Sequence, residues 1–404
     1  MSPVTRGQTA LGPIVAEFCL KLWNLAGQFE KPDDAALLFC ARGGLRMQSA
    51  YDHFLAASGL SSAVPYRSLM VSRAAAIRPS LARSISERSP FAPAVAAAVT
   101  YEFSSVSLSE AVRSLSGIPI DSTDSFWRGL TTPTRLEQAF ARPDALAAAG
   151  EVVEQAGLFS RHLMETLDGR TTVVLVDTGL YGTTGQLIAE GFPNLLVSTA
   201  LMARGYRPLL GAPDAPALGL SVQASSYIPG RSRTTLLRYW HFVEWLFEPE
   251  LETVRRFQVV DGSVRSNLET EGWRDKVASE PGSTFADVLK YIDALEAPAA
   301  VTVLRDADRA WREYRRAVVF PSAAEGRALT VGTRSHDFGR TETWGARPWR
   351  GAIAALRGKT MWREGEIARS GTALRVPLLV AIEIGHGARI VVRAARRALP
   401  GRAG

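Results

Sequence analysis

The chain has 404 residues, of which 46% are hydrophobic and 22% charged, and its formal net charge is +7. The length favours two or three domains or one elaborated domain, and the composition is typical of an ordinary globular protein. The positive charge rests on arginine, because only five lysines occur. Since the arginines are dispersed rather than gathered in one patch, we expect no nucleic-acid partner.

Cysteine content and hydropathy indicate the setting in which the chain works. Cys19 and Cys40 both lie in apolar stretches, and no CxxC occurs, so neither a zinc site nor a disulfide framework is expected. The N-terminus lacks the layout of a secretory signal. The longest apolar stretch, residues 376–392, is interrupted by charged residues and is too polar for a membrane span. We therefore predict a cytoplasmic protein.

The periodicity of apolar residues predicts alternating helices and strands. In chain order we predict a helix at 9–28, a strand at 35–40, a helix at 45–57, a strand at 66–71, helices over 134–168, a strand–turn–helix unit at 171–190, a strand at 195–202, a loop or lid at 206–233, a helix at 236–247, and two helices within 283–318.

Strands that alternate with helices predict an α/β fold with a mostly parallel, Rossmann-like sheet flanked by helices. We place this module at residues 1–330, with a helical insertion at about 105–168. Residues 331–404 would form a largely helical C-terminal extension that ends in a basic tail, 389–402.

The most informative segment is 173–184, where a β-branched apolar strand ends in Asp177 and a Gly/Thr turn leads into a helix. Ligands of open α/β sheets bind outside the carboxyl ends of the strands. A glycine-rich turn at a helix N-terminus offers backbone N–H groups and hydroxyls to a phosphate. Asp177 is therefore a candidate for contact with a ribose, a Mg²⁺ ion or a cationic sugar, although it could also simply cap the turn.

Two further strand ends carry cationic side chains. Arg42 follows the strand at 35–40 and precedes Gly43 and Gly44, which either cradle a phosphate or form an ordinary βα turn. Ser72 and Arg73 follow the strand at 66–71, where an isolated arginine is more often part of a surface ion pair. If the strands are parallel neighbours, these residues and Asp177 would converge on one crevice.

Other potential motifs are weaker. His241 and Glu244 share one face of an aromatic-rich helix, where we interpret His241 as structural and Glu244 as a candidate group for contact with an acceptor. Asp306 and Asp308 form a DxD sequence, but within a charged helical stretch that is typical of a solvated face. The five histidines are scattered, which argues against a histidine-based triad, and neither a P-loop nor GxGxxG occurs.

The order of these motifs is similar to that of a known family. The motifs are Leu11-Gly12-Pro13, residues 37–44 ending in Ala41-Arg42-Gly43-Gly44, Tyr66 with Ser72-Arg73, residues 177–183, Glu244 with Leu246-Phe247, and Trp362-Arg363-Glu364-Gly365. Together they resemble the glycan phosphoribosyltransferase domain of two-domain bacterial ribofuranosyltransferases. The resemblance covers most of residues 9 to about 365.

The resemblance implies 5-phosphoribosyl 1-diphosphate as donor, Mg²⁺ as cofactor, and a surface glycan or lipid-linked glycan as acceptor. Relatives carry a haloacid-dehalogenase-type phosphatase domain ahead of this module. Only a few residues precede the first motif here, so we expect a separate phosphatase, a product that keeps its phosphate, or another use of the module. The basic tail would meet the inner face of the cell membrane or form an ordinary solvated helix.

The implied roles fall on the residues named above. We expect Asp177, Glu244 and Tyr181 to be catalytic, with Asp177 also binding the metal. The expected donor- and phosphate-binding residues are Arg42, Gly43, Gly44, Ser72, Arg73, Gly179, Gly182, Thr183, Thr184 and Gln186.

The sequence departs from the family pattern at three points. Gly43 stands where relatives carry Asp, and Leu180 stands where they carry Trp. Relatives end the third motif with Gln, whereas here Gly185 intervenes before Gln186. Two alternatives therefore stay open: a classical small-molecule phosphoribosyltransferase, whose paired acids are absent because Thr178 follows Asp177, or a catalytically inactive scaffold of polysaccharide assembly. The loss of the acid at 43 favours the scaffold, whereas the retained cations and Asp177 favour an enzyme.

Overall fold

A parallel five-stranded β-sheet forms the centre of the molecule, as described by a computed structural model. The described residues are 9–206, 216–278, 280–297, 300–329, 334–335, 343–344 and 362–398. The five strands are β1 (Ala35–Cys40), β2 (Tyr66–Leu69), β3 (Thr172–Asp177), β4 (Leu196–Arg204) and β5 (Ala217–Gln223). They lie in the order β2-β1-β3-β4-β5 and every pair is parallel, which confirms the predicted Rossmann-like α/β class.

Helices cover both faces of this sheet. Up to β5 they are α1 (Leu11–Ala26), α2 (Gly43–Ser58), α3 (Arg73–Glu87), α4 (Pro93–Phe103), α5 (Leu108–Ser116), α6 (Pro133–Phe140), α7 (Leu146–Leu167) and α8 (Thr183–Gly191). After β5 come α9 (Thr235–Arg238), α10 (Trp240–Phe247), the β6–β7 hairpin (Phe257–Val260, Ser263–Ser266), α11 (Asn267–Thr270), α12 (Arg274–Val277), α13 (Thr284–Asp293), α14 (Ala300–Val319), α15 (Ala323–Ala328), the short pair β8 and β9 (Arg334–Ser335, Thr343–Trp344), α16 (Arg363–Arg369) and α17 (Arg375–Ala398).

The sheet separates two hydrophobic cores. Alternate residues of a strand face opposite sides, so Leu37 and Phe39 of β1 pack with α1, α10, α13 and α14, whereas Leu38 and Cys40 pack with α3 to α8. All six residues of β1 are buried, as expected for a parallel strand that is covered on both faces. This burial explains why the strand has a continuous apolar sequence.

The strand order creates a topological switch point between β1 and β3. Chain connections from these two neighbouring strands run to opposite sides of the sheet, which opens a crevice at their carboxyl ends. The register places the ends level, because Cys40 pairs with Leu69 of β2 and Phe39 pairs with Val176 of β3. Residues that directly follow β1, β2 and β3 therefore meet at one place.

Two elements differ from the sequence prediction. Residues 217–223 form the edge strand β5, where we predicted a loop or lid over 206–233; Gly219, exposed Leu218 and nearby Pro and Ser residues hide the strand pattern, and part of the predicted lid, 207–215, lies outside the described residues. The helix predicted at 236–247 is broken at Tyr239, whose φ of −112° and ψ of 29° separate α9 from α10.

The segment between β2 and β3 is helical. Between β2 and β3 the regular elements are helical from Arg73 to Leu167, whereas we predicted an insertion at about 105–168. Helix α3 packs against both α7 and α8, so it belongs to the layer that covers the sheet. The two-part division at residue 330 stays a prediction.

The C-terminal part includes the 24-residue helix α17, which carries the predicted basic stretch up to residue 398; residues 399–402 of that stretch lie outside the described part. Among the described helices, none combines the length and apolar character that a membrane crossing requires.

Candidate functional site

A crevice of about 840 Å³, including its open mouth, lies at the carboxyl ends of β1, β2 and β3. Of the residues predicted from the sequence, eleven line it: Arg42, Gly43, Ser72, Arg73, Asp177, Gly179, Tyr181, Gly182, Thr183, Thr184 and Glu244. Gly44 and Gln186 do not. The structure thus brings together side chains that are up to 202 positions apart, from Arg42 to Glu244.

Arg42 occupies an unusual backbone conformation at the start of α2. Its φ of 68° and ψ of −100° lie outside the regions that a residue with a Cβ normally adopts. Such conformations cost of order 1–3 kcal/mol and persist where the surrounding structure imposes them, often at functional sites. The guanidinium is close to Glu248, with 3.7 Å between Nη2 and Oε1, and the arginine side chain is largely buried.

Gly43 and Gly44 allow the turn to pass close to β3. A Cβ on Gly43 would lie 2.5 Å from Cγ2 and 2.6 Å from Oγ1 of Thr178. On Gly44 it would lie 2.9 Å from the carbonyl carbon of Phe39 and 3.1 Å from the carbonyl oxygen of Val176. Gly44 therefore serves the close packing of helix on sheet, whereas Gly43 lines the crevice itself.

Ser72 and Arg73 begin helix α3 beside the crevice. The Ser72 hydroxyl accepts a hydrogen bond from the backbone N–H of Ala75 at 3.1 Å and donates one to the carbonyl of Val254 at 2.6 Å. It is thus an N-cap, a role that the sequence prediction of phosphate contact did not include. Arg73 forms an ion pair with Glu102, with 2.6 Å between Nη1 and Oε1, and also lines the crevice.

Asp177 ends β3 on the floor of the crevice. Its Oδ1 accepts a hydrogen bond from the backbone N–H of Gly179 at 3.4 Å, so the carboxylate also stabilises the turn. The neighbouring Cys40 thiol is fully buried, and burial together with the Asp177 carboxylate raises its pKa well above the ordinary value. Cys40 therefore stays a neutral thiol, and a thiolate nucleophile in this crevice is disfavoured.

The turn after Asp177 ends at the N-terminus of α8. Gly182 has a φ of 64° and precedes the first helical residue, and Thr183 and Thr184 occupy the first turn. Backbone N–H groups in the first turn of a helix lack intrahelical partners and favour anions. The N–H of Gln186 instead donates to the Gly182 carbonyl at 3.1 Å, and its side chain is buried, which explains why Gln186 is outside the crevice.

Helix α10 forms the opposite wall. Trp240 and Glu244 of this helix line the crevice together with Glu248, which follows the last helical residue, and the N–H of Glu248 donates to the carbonyl of Glu244 at 2.7 Å. Glu248 was not among the predicted site residues, and its φ of −84° and ψ of 105° place it just beyond the helix. His241 is buried and stacks near Phe242, with 4.4 Å between ring centroids, in agreement with a structural role.

The C-terminal motif holds α10 in place from behind. Glu364 is buried and forms an ion pair with Arg238, the last residue of α9. Trp362 packs edge-on against Phe242, with 4.9 Å between ring centroids, and donates from Nε1 to the carbonyl of Val318 at 2.8 Å. Residues 362–365, which the sequence analysis associated with the family, therefore support the wall that carries Glu244.

The DxD sequence lies elsewhere, on helix α14. Asp306 accepts a hydrogen bond from Tyr291 at 3.1 Å and Asp308 pairs with Arg233, with 2.5 Å between Oδ1 and Nη2. Both carboxylates are engaged in the packing of helices, so this motif is structural here rather than a metal site.

The carboxylates of the crevice suit a cation that is carried by a substrate. No group of three or more His, Cys, Asp or Glu side chains in the described part of the chain is arranged to hold a metal ion. Mg²⁺ commonly uses one or two carboxylates together with substrate phosphates. Asp177 is a carboxylate of the crevice that could supply such a ligand.

Comparison with known proteins adds no family assignment: no protein-family model matches the chain, and no curated protein is significantly similar to it. Two cationic side chains, a helix N-terminus, hydroxyl groups and three carboxylates line the same crevice. This combination can bind a phosphorylated sugar at one end and activate a hydroxyl at the other.

Proposed function

We propose that the crevice binds 5-phosphoribosyl 1-diphosphate and that the protein transfers 5-phosphoribose to a hydroxyl of a glycan acceptor. The observation that carries the proposal is the meeting of Arg42, Arg73 and Asp177 at the switch point, beside the N-terminus of α8. A diphosphate needs cations and backbone N–H groups, and a developing oxocarbenium ion needs a carboxylate. The crevice contains all of these groups.

Each side chain has a role in the proposed reaction. Arg42 and Arg73 bind the phosphates together with the N–H groups of Thr183 and Thr184, which lie at the start of the helix. Asp177 faces the ribose and stabilises the positive charge that develops when the C1–O bond lengthens. Mg²⁺ bound to the diphosphate would neutralise the charge of the leaving group.

The opposite wall supplies the acceptor end of the reaction. The acceptor oxygen forms a bond with C1, the bond between C1 and the diphosphate oxygen breaks, and diphosphate leaves with the bonding electrons. Glu244 takes the proton of the acceptor hydroxyl, a contribution that is typically worth about 10²–10⁴-fold in rate. Glu248 pairs with Arg42 and so orients the guanidinium. Tyr181 borders the crevice, where its ring can contact the sugar.

The C-terminal helix supports a membrane-associated acceptor. In α17 the exposed side chains Val376, Val380, Ile384 and Val391 follow helical spacing, and the same helix is rich in arginine. A helix with this character binds at the surface of anionic membranes. We propose that α17 contacts the membrane surface through these side chains. Ile384→Glu should therefore weaken sedimentation of the protein with vesicles that contain phosphatidylglycerol. Equal sedimentation of the variant and the wild type would contradict this contact.

Calorimetric titration with 5-phosphoribosyl 1-diphosphate, with and without Mg²⁺, tests the donor. We expect micromolar binding that strengthens with Mg²⁺ and weakens at least tenfold in Arg42→Ala. Arg305→Ala, an exposed arginine outside the crevice, is the matched control. Absence of binding to the folded protein would exclude this donor and favour the scaffold alternative.

Two carboxylate variants then separate binding from chemistry. Asp177→Asn should abolish transfer while the fold remains intact, and Glu244→Gln should retain donor affinity and lose transfer by roughly 10²-fold or more. Turnover in Asp177→Asn at the wild-type rate would contradict the assigned role of this carboxylate.

A further inference from the structure

A second cavity of about 820 Å³ adjoins the crevice. Leu180 and Tyr181 line both cavities, so the turn after β3 is the partition between them. The second cavity is bounded by the residues that follow β4, the segment after β5, and helix α17. An occupant of the second cavity would therefore be separated from the crevice by Leu180 and Tyr181.

The lining of this cavity combines aromatic, hydroxyl and cationic groups. Tyr181, Tyr206 and Tyr227 contribute rings, and the serines at 225 and 226 contribute hydroxyls. Aromatic rings with a polar tip suit ligands that are apolar on one face and hydroxylated at the edge, which is the character of a sugar ring. The cations are Arg238 and Arg389.

The two arginines are held in different ways. Arg238 pairs with buried Glu364, and its guanidinium carbon lies 5.6 Å from the ring centroid of Tyr227 and 4.9 Å from that of Tyr239. Arg389 is exposed, has no hydrogen bond or ion pair to the described residues, and is therefore available to a ligand.

The electrostatic environment of His386 indicates a positive cavity. Burial first, and then Arg238, Arg389 and Arg363, lower the pKa of His386 to about 4. The opposing carboxylate on its own helix, Glu383, accepts from Tyr227 Oη at 2.5 Å and pairs with Arg315 at 2.7 Å. Tyr227 also packs against His386, with 6.0 Å between ring centroids. Glu383 is thus engaged with Tyr227 and Arg315, and because Arg238 pairs with Glu364, the uncompensated positive charge at the cavity rests on Arg389.

We propose that the second cavity is the acceptor subsite and that it binds a negatively charged sugar, through Arg389 and Arg238 at the anionic group and through the tyrosines at the ring. The assignment of this cavity as an acceptor subsite rests on the proposed function, whereas the binding of a charged sugar there does not depend on it. The charge can come from a phosphate or from a carboxylate on the sugar. The bound sugar reaches past Tyr181 to present a hydroxyl to C1 of the donor.

Three probes separate the sources of charge. Glucose 1-phosphate, glucuronate and uncharged glucose are titrated into the full chain, and binding is followed by the imidazole proton resonances of His386. A bound anion favours the imidazolium form, so the pKa of His386 rises with the probe that binds. We expect one or both charged probes to bind at least tenfold more tightly than glucose, and the tighter of the two identifies the anionic group.

Variants locate the probe. Arg389→Ala should lower the affinity of the charged probe at least tenfold, whereas Arg375→Ala, on the same helix but outside the cavity, and Arg42→Ala, in the donor crevice, should not. Loss of binding in Arg42→Ala with normal binding in Arg389→Ala would place the probe in the donor crevice and overturn the proposal. So would equal affinities for all three probes or an unchanged affinity in Arg389→Ala.

Failure of the donor assignment is distinguishable from failure of this subsite. If 5-phosphoribosyl 1-diphosphate does not bind while glucose 1-phosphate or glucuronate binds in an Arg389-dependent way, only the donor is wrong. If the donor binds and no charged sugar does, the proposed transferase stands and the acceptor lies elsewhere.

Discussion

Gly43 and Thr178 are in such close contact that a side chain at position 43 would force Thr178 or the turn to shift. The Cβ of any residue at 43 would lie 2.5 Å from Cγ2 of Thr178 and 3.2 Å from its Cβ. This contact gives a physical reason for glycine at the position where the resembling family carries aspartate. An acid at position 43 would therefore require movement of Thr178 or of the turn.

The contact predicts a compensating pair of substitutions. Gly43→Ala should lower the free energy of unfolding by about 1–3 kcal/mol, because the added methyl group overpacks the turn. Gly43→Ala/Thr178→Ala should recover most of the loss, since removal of Cγ2 and Oγ1 makes room. Chemical denaturation of the single variants and the double variant measures the coupling. Additive effects of the two substitutions would show that the contact is not responsible.

Arg42, which precedes Gly43, permits a test of backbone strain in which the two compared variants carry the same charge. Arg42→Ala and Arg42→Gly both remove the guanidinium, but only glycine adopts a positive φ without steric cost. The glycine variant should therefore be more stable than the alanine variant by about 1–2 kcal/mol. Thermal unfolding of both proteins measures the difference. Identical stabilities would mean that the turn relaxes and that no strain is stored there.

Substitution of Ser72 distinguishes a structural role of its hydroxyl from a phosphate-binding role. Its hydroxyl caps α3 and bonds to Val254, so Ser72→Ala should cost about 1 kcal/mol of stability. Donor affinity should change less than threefold, because the hydroxyl is already engaged with protein groups. Thr183→Ala, at the first turn of α8, is the comparison in the phosphate cradle. A tenfold loss of donor affinity in Ser72→Ala, without such a loss in Thr183→Ala, would instead support the prediction that Ser72 contacts the donor phosphate.

The ion pair of Arg238 and Glu364 supports the wall that carries Glu244. Glu364 is buried, and removal of one member of a buried pair leaves the other charge uncompensated, at a cost of about 3–5 kcal/mol. Glu364→Gln should therefore destabilise the protein strongly. Arg238→Met/Glu364→Leu should be more stable than Glu364→Gln, because no buried charge remains. Denaturation midpoints compare the variants, and a double variant less stable than the single one would contradict this account.

The fold could be predicted from the sequence where a strand or a helix has an uninterrupted apolar pattern. The strands at 35–40 and 172–177 and the turns that follow them are recognisable because both faces of the sheet are covered, so every residue of these strands can be apolar. Strand β5 was missed because it lies at the edge, contains glycine and exposes Leu218. Local pattern cannot distinguish such a strand from a loop.

Only those site residues that directly follow a predicted strand could be predicted from the sequence. Parallel strands bring their carboxyl ends together, so the order of strands and turns along the chain is enough to place Arg42, Arg73 and Asp177 at one crevice. Glu102, the partner of Arg73, lies in a helix of the insertion, and no sequence pattern connects the two. The second cavity was not predictable at all, because it is formed between the sheet and α17, which are brought together by tertiary packing alone.

His386 makes the stability of the protein depend on pH. Burial and three arginines lower its pKa from the ordinary value of 6.5 to about 4 in the folded protein, so the unfolded chain binds more protons between these two values. The contribution of neutral His386 is complete above pH 6.5 and is lost as the pH falls towards 4. After allowance for solvent screening of this partly exposed group, the loss from about pH 7 to about pH 5 is on the order of 1 kcal/mol. Urea denaturation at both pH values should show a smaller loss in His386→Gln than in the wild type, and an equal loss in both proteins would exclude His386 as the source.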